Sequence, residues 1–192
     1  MSAPSLTDAL SSLAAELCSA LSLYHTVLTE PCEGCITDIS ECNRRASSLA
    51  ADTHAQLFTL FCPPLARAPA ALVCERLHAT IAVIFGASML FSHDHHPNVR
   101  LATEVQSLCR IGSFIRREMD RLPELIKGKK LTPPDTYAYY TELTRARAAH
   151  ALFLSHCDRS ADERLILDGF ADVTLALSDA YAATLCLLME NI

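Results

Sequence analysis

The chain has 192 residues, of which 51% are hydrophobic, and its mean hydropathy of +0.21 is high for a soluble protein. Its 22 acidic and 16 basic residues give a formal net charge of −6, which argues against nucleic acid as the main partner because phosphate binding depends on Lys and Arg. The 5 glycines are too few for the many tight turns of an all-β fold. These features predict an all-α protein that hides much apolar surface in a bundle, a subunit interface or both.

Helix-breaking residues divide the first half of the chain into three predicted helices. Pro31 ends the first, and the Cys62-Pro63-Pro64 break ends the second, because the residue before a proline is pushed out of the α region. A polar linker, residues 92–97, follows the third. The three helices are predicted to span Thr7–Glu30, Thr37–Phe61 and Pro69–Phe91.

Three more helices are predicted in the second half. The fourth spans Asn98–Ile126, with Pro123 positioned to kink or end its last turn. Asp135 is a candidate N-cap for the fifth helix, which reaches about His156. The sixth starts at Asp158 or Ser160 and runs to the end of the sequence.

Long helices joined by short connections predict an antiparallel helical bundle. The two halves also look related, since His54-Ala55-Gln56-Leu57-Phe58 leads to Cys62 and His150-Ala151-Leu152-Phe153 leads to Cys157. We therefore predict six long helices in two pseudo-repeated three-helix units, residues 1–96 and 97–192, packed as one compact bundle.

The most apolar run, Ala79 to Phe91, has 13 residues, whereas a helix needs about 20 to cross the hydrocarbon. The first residues carry no positive charge and no export signal. The sequence therefore predicts no membrane span and a cytoplasmic location.

The 9 cysteines are expected to be mostly free thiols in a reducing compartment. Four of them stand in apolar helical patterns and are predicted to act as small buried hydrophobes. These four are Cys18, Cys74, Cys109 and Cys186.

Two clusters combine cysteine or histidine residues. Cys32-Glu33-Gly34-Cys35, with Cys42 and His25 nearby, allows three interpretations: a zinc site, a redox pair, or a turn that happens to hold cysteines. The sequence His93-Asp94-His95-His96 is either a metal-capturing loop or a polar linker.

The last helix carries Asp168, Asp172 and Asp179 within about 40° of one another on the helix wheel. Leu175 falls inside this stripe. Three like charges on a partly apolar face repel unless water or a cation neutralises them, so a divalent metal site is one hypothesis and an exposed stripe is the other.

A basic run closes the fourth predicted helix. Cations suit a helix C-terminus, and they also suit an anionic partner such as a phosphorylated ligand or an acidic membrane face. The run consists of Arg116, Arg117, Arg121, Lys127, Lys129 and Lys130.

Three short segments resemble the PhoU-like family, in the branch of accessory proteins found beside low-affinity phosphate transporters. They are Thr53-His54, Pro64-Leu65-Ala66-Arg67 and Leu77-His78-Ala79, in the order of that branch's motifs. Members of the family bind metal through acidic residues on their helices. Here Ala46 and Ala50 stand at the expected positions of the first unit, and Asp168, Asp172 and Asp179 remain in the second.

The resemblance implies a non-catalytic regulator or accessory protein of phosphate transport that acts by protein–protein contact. Its expected partner is a membrane phosphate transporter or a signalling protein, and it is expected to be a homo-oligomer. The alternative is a metal-binding bundle, a sensor or a metal-dependent enzyme, that uses the three aspartates or the Cys32/Cys35 turn.

Overall fold

The computed structural model of the protein describes residues 5–29, 33–91, 99–155 and 161–191. Within these ranges the chain forms seven α-helices and no strand, so the predicted all-α helical bundle is confirmed. The helices are α1 (Leu6–Thr29), α2 (Glu33–Thr59), α3 (Arg67–Met89), α4 (Val99–Asp120), α5 (Leu122–Ile126), α6 (Thr136–Leu154) and α7 (Ala161–Glu190).

The largest difference from the predicted boundaries is in the fourth helix, which the structure divides into α4 and α5. Pro123 lies in the first turn of α5. Because proline has no N–H and its ring clashes with the preceding turn, α4 cannot continue straight through it. The predicted N-cap of α6 is confirmed, since Asp135 Oδ1 accepts a hydrogen bond from the Ala138 N–H at 3.0 Å. The predicted start of the last helix, at Asp158 or Ser160, lies outside the described residues.

Helices α1, α3, α4 and α7 form the centre of the bundle, while α2 packs on α1 and α3, and α6 packs on α4 and α7. The two most extensive pairings, α3 with α7 and α1 with α4, each join a helix before Pro97 to one after it. The core is therefore shared between the two predicted units. Pro97 itself, the predicted boundary, lies outside the described residues.

Contacts along α1 and α4 occur in opposite sequence order. The Ser11 hydroxyl donates to Asp120 Oδ1 at one end of the pair, and the Cys109 thiol donates to the Leu21 carbonyl at 3.6 Å further along. The contacts between α3 and α7 also run in opposite sequence order. The Ala66 N–H donates to Asn191 Oδ1 at 2.9 Å, and the Thr80 hydroxyl donates to the Ala176 carbonyl at 3.2 Å.

Each of these two pairings has a glycine that faces the partner helix. A Cβ placed on Gly112 would lie 2.5 Å from Leu21 Cδ1, and one on Gly169 would lie 3.3 Å from both Ala87 Cβ and Leu90 Cδ1. The first distance is far below van der Waals contact, so a side chain at residue 112 would force the end of the Leu21 side chain to move.

Carboxylate–guanidinium pairs attach the outer helices. Glu16 on α1 accepts two hydrogen bonds of 2.8 Å from Arg45 on α2. Glu142 on α6 accepts from Arg110 on α4 at 3.1 Å and from Arg145 at 2.7 Å. Glu16 lies on the first helix of the first predicted unit, whereas Glu142 lies on the second helix of the second unit. The relation of the two units by an internal repeat stays a prediction.

Glu142 is the more deeply buried of the two carboxylates, with a side chain 10% exposed. Burial disfavours its charge, but hydrogen bonds from Ser107 and Arg110 and the charges of Arg110 and Arg145 outweigh that effect and lower its pKa. A carboxyl group whose pKa is lowered by folding stabilises the protein above its usual pKa, and this contribution is lost as the pH falls.

The prediction that the chain has no membrane span is wrong. Three helices are long and apolar enough to cross a membrane: α1, α3 and the Glu163–Glu190 part of α7, with mean hydropathies of 1.2, 1.5 and 1.4. The prediction considered only unbroken apolar runs, whereas the average over a helix tolerates scattered Ser, Thr and His and one or two charges. About half of each apolar window (50%, 44% and 50%) is buried inside the bundle.

We expect Gly112→Val to lower the free energy of unfolding by about 1–3 kcal/mol, because the new side chain overpacks the contact with Leu21. Gly86→Val is the matched control, since a Cβ there meets nothing within 4 Å and the residue is exposed in α3. Urea denaturation of both variants measures the difference. Equal stability of the two variants would contradict the close approach of α1 and α4.

We expect Glu142→Gln to lower the free energy of unfolding at pH 7 by about 1 kcal/mol, since its arginine partners are half-exposed. The difference from the wild type should shrink below about pH 4.3, the usual glutamate pKa, and vanish once the folded-state carboxylate is protonated. Denaturation at a series of pH values measures it. A difference that persists at pH 2 would show that lost packing, not charge, is responsible.

Candidate functional site

The three aspartates predicted as metal ligands lie on an exposed face of α7. Asp179 Oδ2 lies 3.9 Å from Arg76 Nη1 on α3, and Leu175, between Asp172 and Asp179, is 59% exposed. Among the described residues, no group of three or more His, Cys, Asp or Glu side chains is close enough to hold a metal ion. The metal site at Asp168, Asp172 and Asp179 stays a prediction.

Two cysteines of the predicted CxxC cluster, Cys35 and Cys42, lie on α2. Cys35 is half-buried in its first turn and Cys42 is buried further along, while Cys32 and the residues His93–His96 lie outside the described part of the chain. Burial, and next the charge of Glu16, raise the pKa of the Cys42 thiol. A thiol with a raised pKa is a poor nucleophile at neutral pH.

Three of the four cysteines predicted to be buried hydrophobes are buried or half-buried. Burial raises the pKa of Cys74 and Cys109 to about 11, and it also raises the pKa of Cys18. The prediction is wrong for Cys186, which is exposed on the outer face of α7.

The basic run at the end of α4 is partly neutralised by a residue within it. Glu118 has a side chain only 1% exposed, and its Oε2 lies 2.5 Å from Arg121 Nη1 while its Oε1 lies 3.2 Å from Arg117 Nε. Arg121 also donates from Nη2 to the carbonyl oxygen of Thr132 at 2.6 Å. The Glu118–Arg121 pair thereby ties α4 to the connection that leads to α6.

An aromatic pair lies near this buried carboxylate. Tyr181 on α7 stacks on Tyr139 of α6 with ring centroids 3.6 Å apart, and Tyr139 donates a hydrogen bond to Ser178 Oγ at 3.2 Å. Burial, and next the charge of Glu118, raise the pKa of Tyr181 to about 12. Both tyrosines are therefore neutral at physiological pH.

The connection between α5 and α6 follows from its glycine and prolines. Gly128 has φ = 71°, and the N–H groups of Gly128 and Lys129 donate to the carbonyls of Leu125 and Glu124 at 2.9 and 3.1 Å. This pair of bonds is a Schellman motif, which requires a left-handed residue and so favours glycine. It ends α5 and turns Lys129 and Lys130 back across the end of the bundle.

A cleft of about 540 Å³ lies between this connection and the C-terminal end of α7. Its wall is mostly apolar, with Leu125 and Leu188 buried and Met189 75% exposed. Its charged residues are Glu118, Arg121, Lys129 and Lys130, which leaves two net positive charges. The wall also includes Gly128, Leu131, Thr132, Pro133, Pro134 and Asn191. We refer to it as the C-terminal cleft. Ligand sites typically combine such a volume, an apolar lining and a few polar groups.

Sequence reasoning identified the cations of this cleft but missed Glu118. The available signal was its position, because Glu118 falls in the buried stripe formed by Ile111, Ile115, Leu122 and Leu125. A charged residue at a core position is rarely fully buried unless it is paired, and Arg121 stands three residues later.

The segments that carry the PhoU-like resemblance lie on α2, on α3 and on the connection between these helices. The buried Thr53 hydroxyl donates to the Leu49 carbonyl at 2.6 Å, His78 Nε2 lies 2.9 Å from Ser47 Oγ, and Arg67 donates to the Leu60 carbonyl at 2.5 Å. Ala46 and Ala50 are buried. No protein-family model matches the chain, and no curated protein matches it in sequence.

We expect Glu118→Gln to lower the free energy of unfolding by about 2 kcal/mol, because it weakens charge-assisted hydrogen bonds to a buried acceptor. Glu124→Gln is the control, since Glu124 pairs with Lys129 at 2.9 Å but is 51% exposed, and we expect a change below about 0.5 kcal/mol. Thermal and urea unfolding measure both. Equal effects would mean that Glu118 does not tie α4 to the following connection.

Proposed function

We propose that the protein is a non-catalytic accessory or regulator of phosphate transport, of the PhoU-like kind, that acts by contact with a partner protein. The observation that carries the proposed contact is a set of aromatic side chains exposed at one end of the bundle. Phe61 is 96% exposed, Tyr137 is 83% exposed and Phe58 is 79% exposed. The phosphate-transport role rests on the resemblance of the three segments described above.

These aromatic residues lie at the end of the bundle where α2 stops and where α3 and α6 start. The C-terminal cleft lies at the same end. The contact of Ala66 with Asn191 joins the α2–α3 connection to the end of α7, and Asn191 also lines the C-terminal cleft. Leu60, Ile126 and Met189 are exposed at the same end. We call this surface the aromatic end, defined by Phe58, Leu60, Phe61, Ile126, Tyr137 and Met189.

The chemistry of the aromatic end favours an apolar partner surface. A ring that a partner covers contributes about 2 kcal/mol at roughly 25 cal/mol per Å² of apolar area, so two or three rings supply a specific contact. The exposed cations Arg67, Lys127 and Lys130 lie on the same end, and so do the exposed acids Glu124 and Glu190. Charges of both signs around the rings select a partner whose charges complement them and fix the orientation of the contact.

Phosphate uptake in cells that lack the gene tests the proposal. The wild-type chain and the control Leu152→Ser/Leu165→Ser, which changes two exposed leucines at the other end of the bundle, should restore normal uptake. Phe58→Ser/Phe61→Ser should fail to restore it, although both variants should stay within about 0.5 kcal/mol of wild-type stability because they change only surface residues.

The two parts of the proposal fail separately. Unchanged phosphate uptake on loss of the gene would reject the transport role. Full restoration by Phe58→Ser/Phe61→Ser would reject the aromatic end as the contact surface while leaving the transport role in place.

A further inference from the structure

We propose that the C-terminal cleft binds an amphipathic anion, a single-chain carboxylate whose alkyl tail occupies the apolar wall and whose head group meets the lysines at the mouth. This inference does not rest on the proposed transport function. It rests on the shape, lining and charge of the cleft alone.

The cleft has the volume of a small-molecule site and an apolar wall that suits an alkyl tail. The volume of the whole cleft, about 540 Å³, falls within the usual range for small-molecule pockets, roughly 300–1,000 Å³. The buried side chains of Leu125 and Leu188 form part of the cleft wall. Leu131 and Pro134, which are half-buried in the connection between α5 and α6, form another part of it. An alkyl chain placed against these side chains is removed from water, and this removal is the main source of affinity for an apolar ligand.

The positive charge of the cleft is concentrated at its lysines. Arg121 and Glu118 largely neutralise each other, and both terminal nitrogens of Arg121 already donate, Nη1 to Glu118 and Nη2 to Thr132. Lys129 pairs with Glu124 at 2.9 Å, but both side chains are more than half exposed, so this pair is weak. Lys130 makes no ion pair within the described residues and is exposed. A carboxylate head group therefore meets two cations, one of them without a competing counterion.

The fold holds the head-group site in place. The Schellman motif at Gly128 fixes the backbone of Lys129, and the bond from Arg121 to the Thr132 carbonyl fixes the other side of the connection. Two anchors on either side of Lys130 reduce the conformational entropy lost when a ligand binds.

Methionine methyl signals offer a direct test in the full-length protein. The chain has 4 methionines. Met189 lines the cleft, whereas Met89, 45% exposed at the end of α3, lies at the opposite end of the bundle and serves as an internal control. The protein is labelled with ¹³C at the methionine methyl groups and titrated with decanoate below its micelle concentration, and Met189→Leu assigns the signal.

We expect decanoate to shift the Met189 methyl signal saturably and to leave Met89 unchanged. Acetate, which has the charge without the tail, should cause no shift. Lys129→Gln/Lys130→Gln should weaken decanoate binding about tenfold, since each exposed pair contributes modestly and the two together change the dissociation constant by one order of magnitude. Lys127→Gln, a neighbouring lysine that does not line the cleft, is the matched control and should bind as the wild type does.

Three outcomes would overturn the proposal. The first is no saturable shift of Met189, or an equal shift of Met89. The second is an equal loss of affinity in Lys127→Gln and in the double variant. The third is binding to vesicles of anionic phospholipid without binding of free decanoate, which would assign the lysines to a membrane surface instead. Circular dichroism of each variant establishes that it is folded before titration.

Discussion

Two positions without a side chain, Gly112 and Gly169, face the partner helix where α4 packs on α1 and where α7 packs on α3. At the first, a Cβ would lie 2.5 Å from Leu21 Cδ1, and at the second it would lie 3.3 Å from Ala87 Cβ. Because one helical turn advances about 5.4 Å, a slip of one turn would move each glycine away from its close contact and put a larger residue there. The glycines therefore favour the observed register of both pairs. The register of α7 in turn places Asn191 against Ala66 and Met189 at the cleft.

The high hydropathy of three helices has a partial explanation within the bundle. The buried sides of α1, α3 and α7 supply the core, and the outward side of α3 is also poor in charge, with Ala79, Ala82 and Gly86 exposed. A helix that is apolar on the inside and small and uncharged on much of its outside reaches the composition of a membrane span. A bundle helix of this type therefore has the same length and composition as a membrane-spanning helix. The unbroken apolar run from Ala79 to Phe91 is too short to indicate this, because it omits the apolar residues that lie earlier in the same helix.

Local sequence rules accounted for most of the fold. Proline and helix-capping positions predicted where helices end, and the N-cap at Asp135 was predicted from its residue type. The division into α4 and α5 was only partly foreseen, since Pro123 was expected either to kink or to end the helix. The cleft was not foreseen, because it depends on the packing of the connection against α7, more than fifty residues further along the chain, and on the burial of Glu118. Cys186 shows the same limit: its helical neighbours are apolar, but its face of α7 is exposed in the described part of the chain.

The pairing of α3 with α7 has a consequence for how the chain folds during synthesis. Ala66 and Asn191 are 125 residues apart in sequence, and Ser11 and Asp120 are 109 apart, so both central pairings are completed late. A ribosome that adds about 5–20 residues per second takes roughly 5–20 s to pass from the end of α3 to the end of α7. Of the helices that pack on α3 in the folded protein, only α1 and α2 are present during that time. The face that α7 later occupies stays open to solvent, to chaperones and to the same face on a neighbouring nascent chain.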